Sequence, residues 1–198
     1  MKKRILIAVV MASLLVGCGT AKSEKSWQKA YIDYLNTDEE IAPYAKEDYT
    51  FALIYLDDDD IPELFIDTGF EAGGQYIATY YNGKVVTHQF LRIGSQYIER
   101  SGLVYTHTGN MDYYPLTITK LENGTFTEIA SGLSYVSEED WEKMTTDENY
   151  PYTLTYEWGD EIVTEEQFNT NIEEIYDLEK STYPEDLCSY DEFVDRLE

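Results

Sequence analysis

Gln75-Tyr-Ile-Ala-Thr-Tyr-Tyr-Asn-Gly-Lys-Val-Val-Thr-His-Gln-Phe-Leu91 decides the class of fold. Its halves, Gln75–Tyr81 and Lys84–Leu91, are rich in the β-branched and aromatic residues that suit a pleated, half-buried surface. Between them lies Asn82-Gly83. A two-residue hairpin loop needs positive φ at both turn positions, and Asn-Gly is the pair that adopts it most readily. The stretch therefore predicts an antiparallel hairpin.

The same texture continues downstream. Gln96–Arg100 and Leu103–Thr106 flank Ser101-Gly102, and Tyr113–Leu121 and Thr125–Ala130 flank Asn123-Gly124. Upstream, Tyr49–Leu56 is an almost continuous apolar run, which predicts a strand buried on both faces. Asp57–Asp60 interrupts it and Ile61–Ile66 resumes it, with Pro62 near the start, where proline is tolerated. Gly69, Gly73 and Gly74 mark a loose connection to the first hairpin.

Helical spacing brackets this β region. Trp27, Ala30, Tyr31, Tyr34 and Leu35 form one apolar face over Ser26–Asn36. Thr37–Asp48, polar and holding Pro43, is expected to be a loop. Ser137 with Asp140 opens a short helix ahead of Trp141 and Met144, and Tyr150–Trp158 is expected to be a strand. Thr164 with Gln167 forms a capping box for a helix through Lys180, with Phe168, Ile172, Ile175 and Leu178 on its buried face. Ser189 with Glu192 opens the last helix, Tyr190–Leu197. The expected fold is α+β over residues 26–198. It is a single domain with one antiparallel meander of about 7–9 strands, an N-terminal helix and C-terminal helices.

Tyr55-Leu-Asp-Asp-Asp-Asp-Ile-Pro-Glu-Leu64 is the segment with candidate site chemistry. It resembles the calcium loop of FG-GAP-type β-repeats, an acidic run between two strands. Calcium takes six to eight oxygens, from carboxylates and backbone carbonyls. The resemblance implies Asp57, Asp59, the Ile61 carbonyl and Glu63 as its ligands here. The first ligand position falls on Tyr55, and Asp60 replaces the turn glycine. The chain also resembles anchored lipoproteins of Gram-positive bacteria. The resemblance is carried by Asp57–Leu64, Gly73-Gly74, Tyr80–Lys84 and Tyr156–Glu166, and it implies location and single-domain organisation but no reaction.

Location is read from the N-terminus. Lys2, Lys3 and Arg4 precede the apolar run Ile5–Val16, which falls short of the roughly 20 residues that span a bilayer. Leu15-Val16-Gly17-Cys18 resembles the site read by bacterial lipoprotein processing. It implies removal of residues 1–17, diacylglyceryl transfer to Cys18 and anchoring at the extracytoplasmic face of the cell membrane. Residues 18–25 then form a polar tether. Losing three positive charges takes the formal net charge from −25 to −28, which makes nucleic acid an unsuitable partner. With Cys18 acylated, Cys188 has no disulfide partner. Its acidic neighbours Glu185, Asp186, Asp191 and Glu192 disfavour a thiolate nucleophile.

His88 and His107 lack the neighbours of a zinc site, and neither a nucleophile elbow nor a phosphate loop is present. Nineteen tyrosines suit a ligand-contacting face, because adjacent pairs such as Tyr80-Tyr81 and Tyr113-Tyr114 point to opposite sides of a strand. The expected function is therefore a membrane-anchored, non-catalytic binding domain for a glycan, wall polymer or protein, with Ca²⁺ at the acidic loop as its candidate cofactor. The alternative is a lipid-anchored hydrolase using paired carboxylates such as one of Asp57–Asp60 with Glu63.

Overall fold

The structure, a computed structural model, describes residues 26–147 and 149–198. The export segment, Cys18 and the tether lie outside the described residues. In chain order the elements are α1 (Ser26–Thr37), β1 (Thr50–Ile54), β2 (Glu63–Asp67), β3 (Gln75–Tyr81), β4 (Lys84–Phe90), β5 (Gln96–Ile98), β6 (Leu103–His107), β7 (Tyr113–Glu122), β8 (Thr125–Val136), α2 (Glu138–Thr146), β9 (Leu154–Trp158), β10 (Glu161–Val163), α3 (Glu165–Ile175) and α4 (Tyr190–Leu197). The fold is α+β and every strand pair is antiparallel.

The expected single meander is instead two sheets. One has four strands in the order β1-β2-β3-β4, and the other has six in the order β10-β9-β8-β7-β6-β5. The break falls after β4. There Arg92 (φ 67°) and Gly94 (φ 111°) turn the chain out of the first sheet and into a second layer. Burial explains the split. Inward from Ala52, Ile54, Phe65, Ile77 and Phe90 lie Tyr97, Val104, Leu121 and Phe126 of the second sheet, and together these form one core. On its outer face the first sheet packs Phe51, Leu64, Ile66, Tyr76 and Ala78 against α1 and α4. The second packs Leu116 and Ile118 against Phe168 and Ile172 of α3. A strand such as β2, buried on both faces, must lie in an inner layer.

The hairpins form where Asn-Gly placed them. Asn82 and Gly83 have φ of 51° and 83°, and Asn123 and Gly124 have 51° and 69°. The two tips touch, because a Cβ on Gly124 would lie 2.3 Å from the Tyr81 ring. The Thr164–Gln167 capping box is present, with reciprocal bonds of 3.0 and 3.1 Å. Its helix stops at Ile175 rather than Lys180, and a 3₁₀ turn over Leu178–Lys180 leaves Leu178 exposed. Asp177 ends the run by accepting the Glu179 N–H, a local bond that competes with the helix. The last strands are shorter than expected at Leu154–Trp158, with β10 added by the turn at Gly159.

Candidate functional site

Two places carry the polar chemistry, and they are built differently. The first is the acidic loop. The Asp57 carboxylate accepts the Asp59 N–H at 3.1 Å, and Asp59 accepts the Ile61 N–H at 2.6 Å. These are Asx turns, in which short acidic side chains satisfy backbone donors two residues on. Arg100 closes the loop from β5's end. Its guanidinium donates to the Asp59 carbonyl at 3.2 Å and lies 4.7 Å over the Tyr55 ring.

Glu63 is only 1% exposed. It points into the space between the sheets, where it accepts the Leu56 N–H at 2.8 Å and the Thr79 hydroxyl at 3.2 Å. It thus pins the two ends of the loop together. Burial raises its carboxyl to about 7, with the Asp57 charge adding to the rise and the Leu56 hydrogen bond opposing it. Asp57 is also raised, chiefly by burial. Asp57, Asp59, Ile61 and Glu63 share one loop, in which Asp57 and Asp59 accept backbone N–H groups within the loop and Glu63 accepts from Leu56 and Thr79. Among the described residues no group of three or more His, Cys, Asp or Glu stands close enough to share an ion. The Glu63 oxygens are committed to protein donors, so this arrangement fits a self-closed turn better than a calcium cage.

The second place is a cleft of about 220 Å³ between the sheets, lined by His88, Phe90 and Leu91 from the β4 side and by Thr106, Pro115, Thr117, Thr119 and Glu128 from β6, β7 and β8. β4 meets β8 where His88 stacks on Phe126, and past the cleft the β7–β8 pair continues toward Tyr113 and Tyr135 as a partly exposed shelf. On that shelf Tyr113 pairs with Tyr135 and Pro115 with Leu133, while the Tyr135 hydroxyl donates to Glu157 at 2.7 Å. Tyr113 is 56% exposed, and Leu133 and Tyr135 are half-buried.

The cleft's wall is aromatic and its floor carries hydroxyls. His88 stacks on Phe126 at 5.3 Å and meets the edge of Phe90 at 4.7 Å. Burial pushes the His88 imidazole below its ordinary range, and the nearby Glu128 charge acts the other way. Burial thus disfavours the charged imidazolium, and Glu128 is the cleft's carboxylic side chain. The Thr106 hydroxyl is 3.0 Å from that of Ser95.

Sequence reasoning passed over His88, because it lacks the companions of a metal site. The signal that could have found the cleft is the polar alternation Thr117, Thr119 on a strand whose neighbouring positions are apolar. Elsewhere, His107 lies 3.1 Å from the Tyr105 hydroxyl. Cys188 is 6% exposed, its thiol donates to the Phe51 carbonyl at 3.4 Å, and burial raises its pKa, all of which suit a structural thiol. No described helix is long and apolar enough to cross a membrane. No family model, curated protein or solved structure matches this chain, so its geometry alone carries the functional argument.

Proposed function

We propose that this chain is a non-catalytic binding domain, anchored by lipid on Cys18 at the extracytoplasmic face of the cell membrane. Its ligand enters the cleft between β4 and β7–β8. The observation that carries this reading is a recess with an aromatic wall, threonine side chains and one carboxylate, Glu128, beside a partly exposed shelf that ends at Tyr113. Ligand sites combine apolar area with a few placed polar groups in this way. The recess is smaller than the roughly 300–1,000 Å³ of a drug-sized pocket. It accepts one side chain or one ring of a larger ligand, whose remainder would lie along the shelf. Wall glycans, wall polymers and proteins all have that form.

Two measurements test the reading. Labelled palmitate incorporates into the wild type and not into Cys18→Ala if the anchor is as proposed. Titration of wall fragments and surface proteins against the chain should move the His88 and Phe126 resonances. A chain whose cleft resonances move with none of them, while it turns over a substrate, would refute the binding role.

The hydrolase alternative is favoured by one observation, the raised carboxyls of Glu63 and Asp57. The enclosure of Glu63 weighs against it, because a general acid must reach the substrate. Calcium-assisted binding would require Glu63 to leave Leu56 and Thr79. Thermal melts in calcium and in chelator decide that point, since a metal at 100 times its Kd adds about 2.7 kcal/mol.

A further inference from the structure

The four sheet edges of this molecule are not treated alike. β1 is closed by the C-terminal segment, where Phe51 and Cys188 exchange two backbone hydrogen bonds of 2.9 Å each. β5 is closed in the same way by Thr182, through bonds of 3.0 and 2.9 Å with Tyr97. β10 is a three-residue strand, too short to template much pairing. β4 is seven residues long, and its described backbone pairs only with β3.

The hairpin geometry says which groups β4 leaves free. Tyr81 and Lys84 flank a two-residue turn and form its first hydrogen-bonded pair, so Lys84, Val86, His88 and Phe90 point their N–H and C=O groups at β3. Val85, Thr87 and Gln89 point theirs outward. A long strand with an unpaired edge is a template for another strand.

Charge and shape select the occupant. An added strand would extend the first sheet over the open shelf, with alternate side chains directed to the two faces of that sheet. On the inner face they would meet Glu128, which lines the cleft. On the outer face Tyr76 stands opposite Gln89, and its phenol is raised by burial first and then by the nearby Glu40 and Asp38 charges. Cations near the edge are Lys84 at the tip and Arg92, which pairs with Glu71 at 3.8 Å. The whole chain carries −25, which opposes pairing with a second copy of itself.

We propose that the β4 edge binds an extended, positively charged peptide segment of a protein partner by strand addition, placing one side chain in the cleft beside His88 and Glu128. The proposal rests on the binding-domain reading and names its ligand class.

The test uses the full chain in detergent and an acetylated, amidated peptide of alternating lysine and valine. Saturable binding is expected, with amide exchange at Val85, Thr87 and Gln89 slowed at least about tenfold. Gln89→Pro should weaken binding about tenfold, since proline is tolerated on an edge but removes one outward donor. The same peptide with alternate amides N-methylated on its pairing edge should not bind. Equal binding of the methylated peptide, or amides that stay unprotected, would overturn strand addition in favour of a merely ionic contact. Protection present before peptide is added would identify the chain's own N-terminal segment or a second copy as the occupant, and would also overturn it. Wall-glycan fragments in parallel samples separate the two levels. If they move the His88 resonances and the peptide does not, the cleft stands and the peptide falls. If neither moves them, both fall.

Discussion

The acidic loop and the β4 cleft both place carboxylates between the same two sheets, yet one is closed on itself and the other is open. In the loop, donors from the protein already answer three of the acids: Leu56 and Thr79 for Glu63, Asp59 for Asp57 and Ile61 for Asp59, while Arg100 donates to the Asp59 carbonyl. In the cleft, Glu128 is exposed beside the part-buried His88, Thr117 and Phe126, while Phe90, Thr106 and Thr119 form a buried lining. Acid density is therefore a poor guide to a site. A carboxylate whose lone pairs are spent on its own fold contributes stability, and one left facing a recess contributes recognition.

The largest expected break in this contrast is Glu63→Ala. It leaves the buried Leu56 N–H and the Thr79 hydroxyl without their acceptor, at about 3 kcal/mol in denaturant unfolding. A loss below about 0.5 kcal/mol would show that the loop does not depend on its pin. Gly124→Ala should follow at about 1–3 kcal/mol, because its Cβ would meet the Tyr81 ring in a left-handed backbone conformation, φ 69°. Loss of cleft binding with the fold intact would show that contact between the hairpin tips sets the cleft's width.

A pH series sharpens the comparison. The folded-state carboxyl of Glu63 is raised to about 7 from 4.5, so the native protein holds a proton that the unfolded chain has released. Its contribution is fully present below the lower value and is lost as pH rises through about 7. The melting temperature of the wild type should therefore fall between pH 5 and 7 more steeply than that of Glu63→Gln. The variant controls for general repulsion among the other acids, and parallel slopes would show that Glu63 is not the group titrating.

The smallest stability effect belongs to the cleft. Glu128→Gln should alter unfolding by less than about 0.5 kcal/mol. It should weaken a cationic ligand several-fold, more so at low salt. Destabilisation beyond that limit would place Glu128 with the loop's acids as a structural residue.

The hairpins and helix starts were legible for local reasons. Asn-Gly needs only its own backbone to choose the turn, and Thr164 and Gln167 need only each other to cap α3. The calcium resemblance is local too, because it is read from residue types alone, whereas the direction of Glu63 is set by the tertiary fold. Alternation along β2 puts Glu63 on the face shared with Phe65, toward the second sheet, and that direction depends on strand pairing far along the chain. The missed division into two sheets has the same origin. A run such as Leu91–Ser95 reads as another turn in a meander, and its change of layer is visible only when both faces of β1–β3 are seen to be covered.

The sequence alone determined the elements that close within a few residues: the two Asn-Gly β-turns, the caps of the helices, the acidic interruption at Asp57–Asp60 and the chain's strong negative charge; the Ser101-Gly102 turn is instead a four-residue loop over Glu99–Gly102. Tertiary structure alone decided which edges the C-terminal segment covers, which acids are sealed and where a recess opens. Those outcomes turn on contacts between residues as distant as Phe51 and Cys188, or His88 and Phe126, whose burial is a collective property of packed layers rather than of any local run.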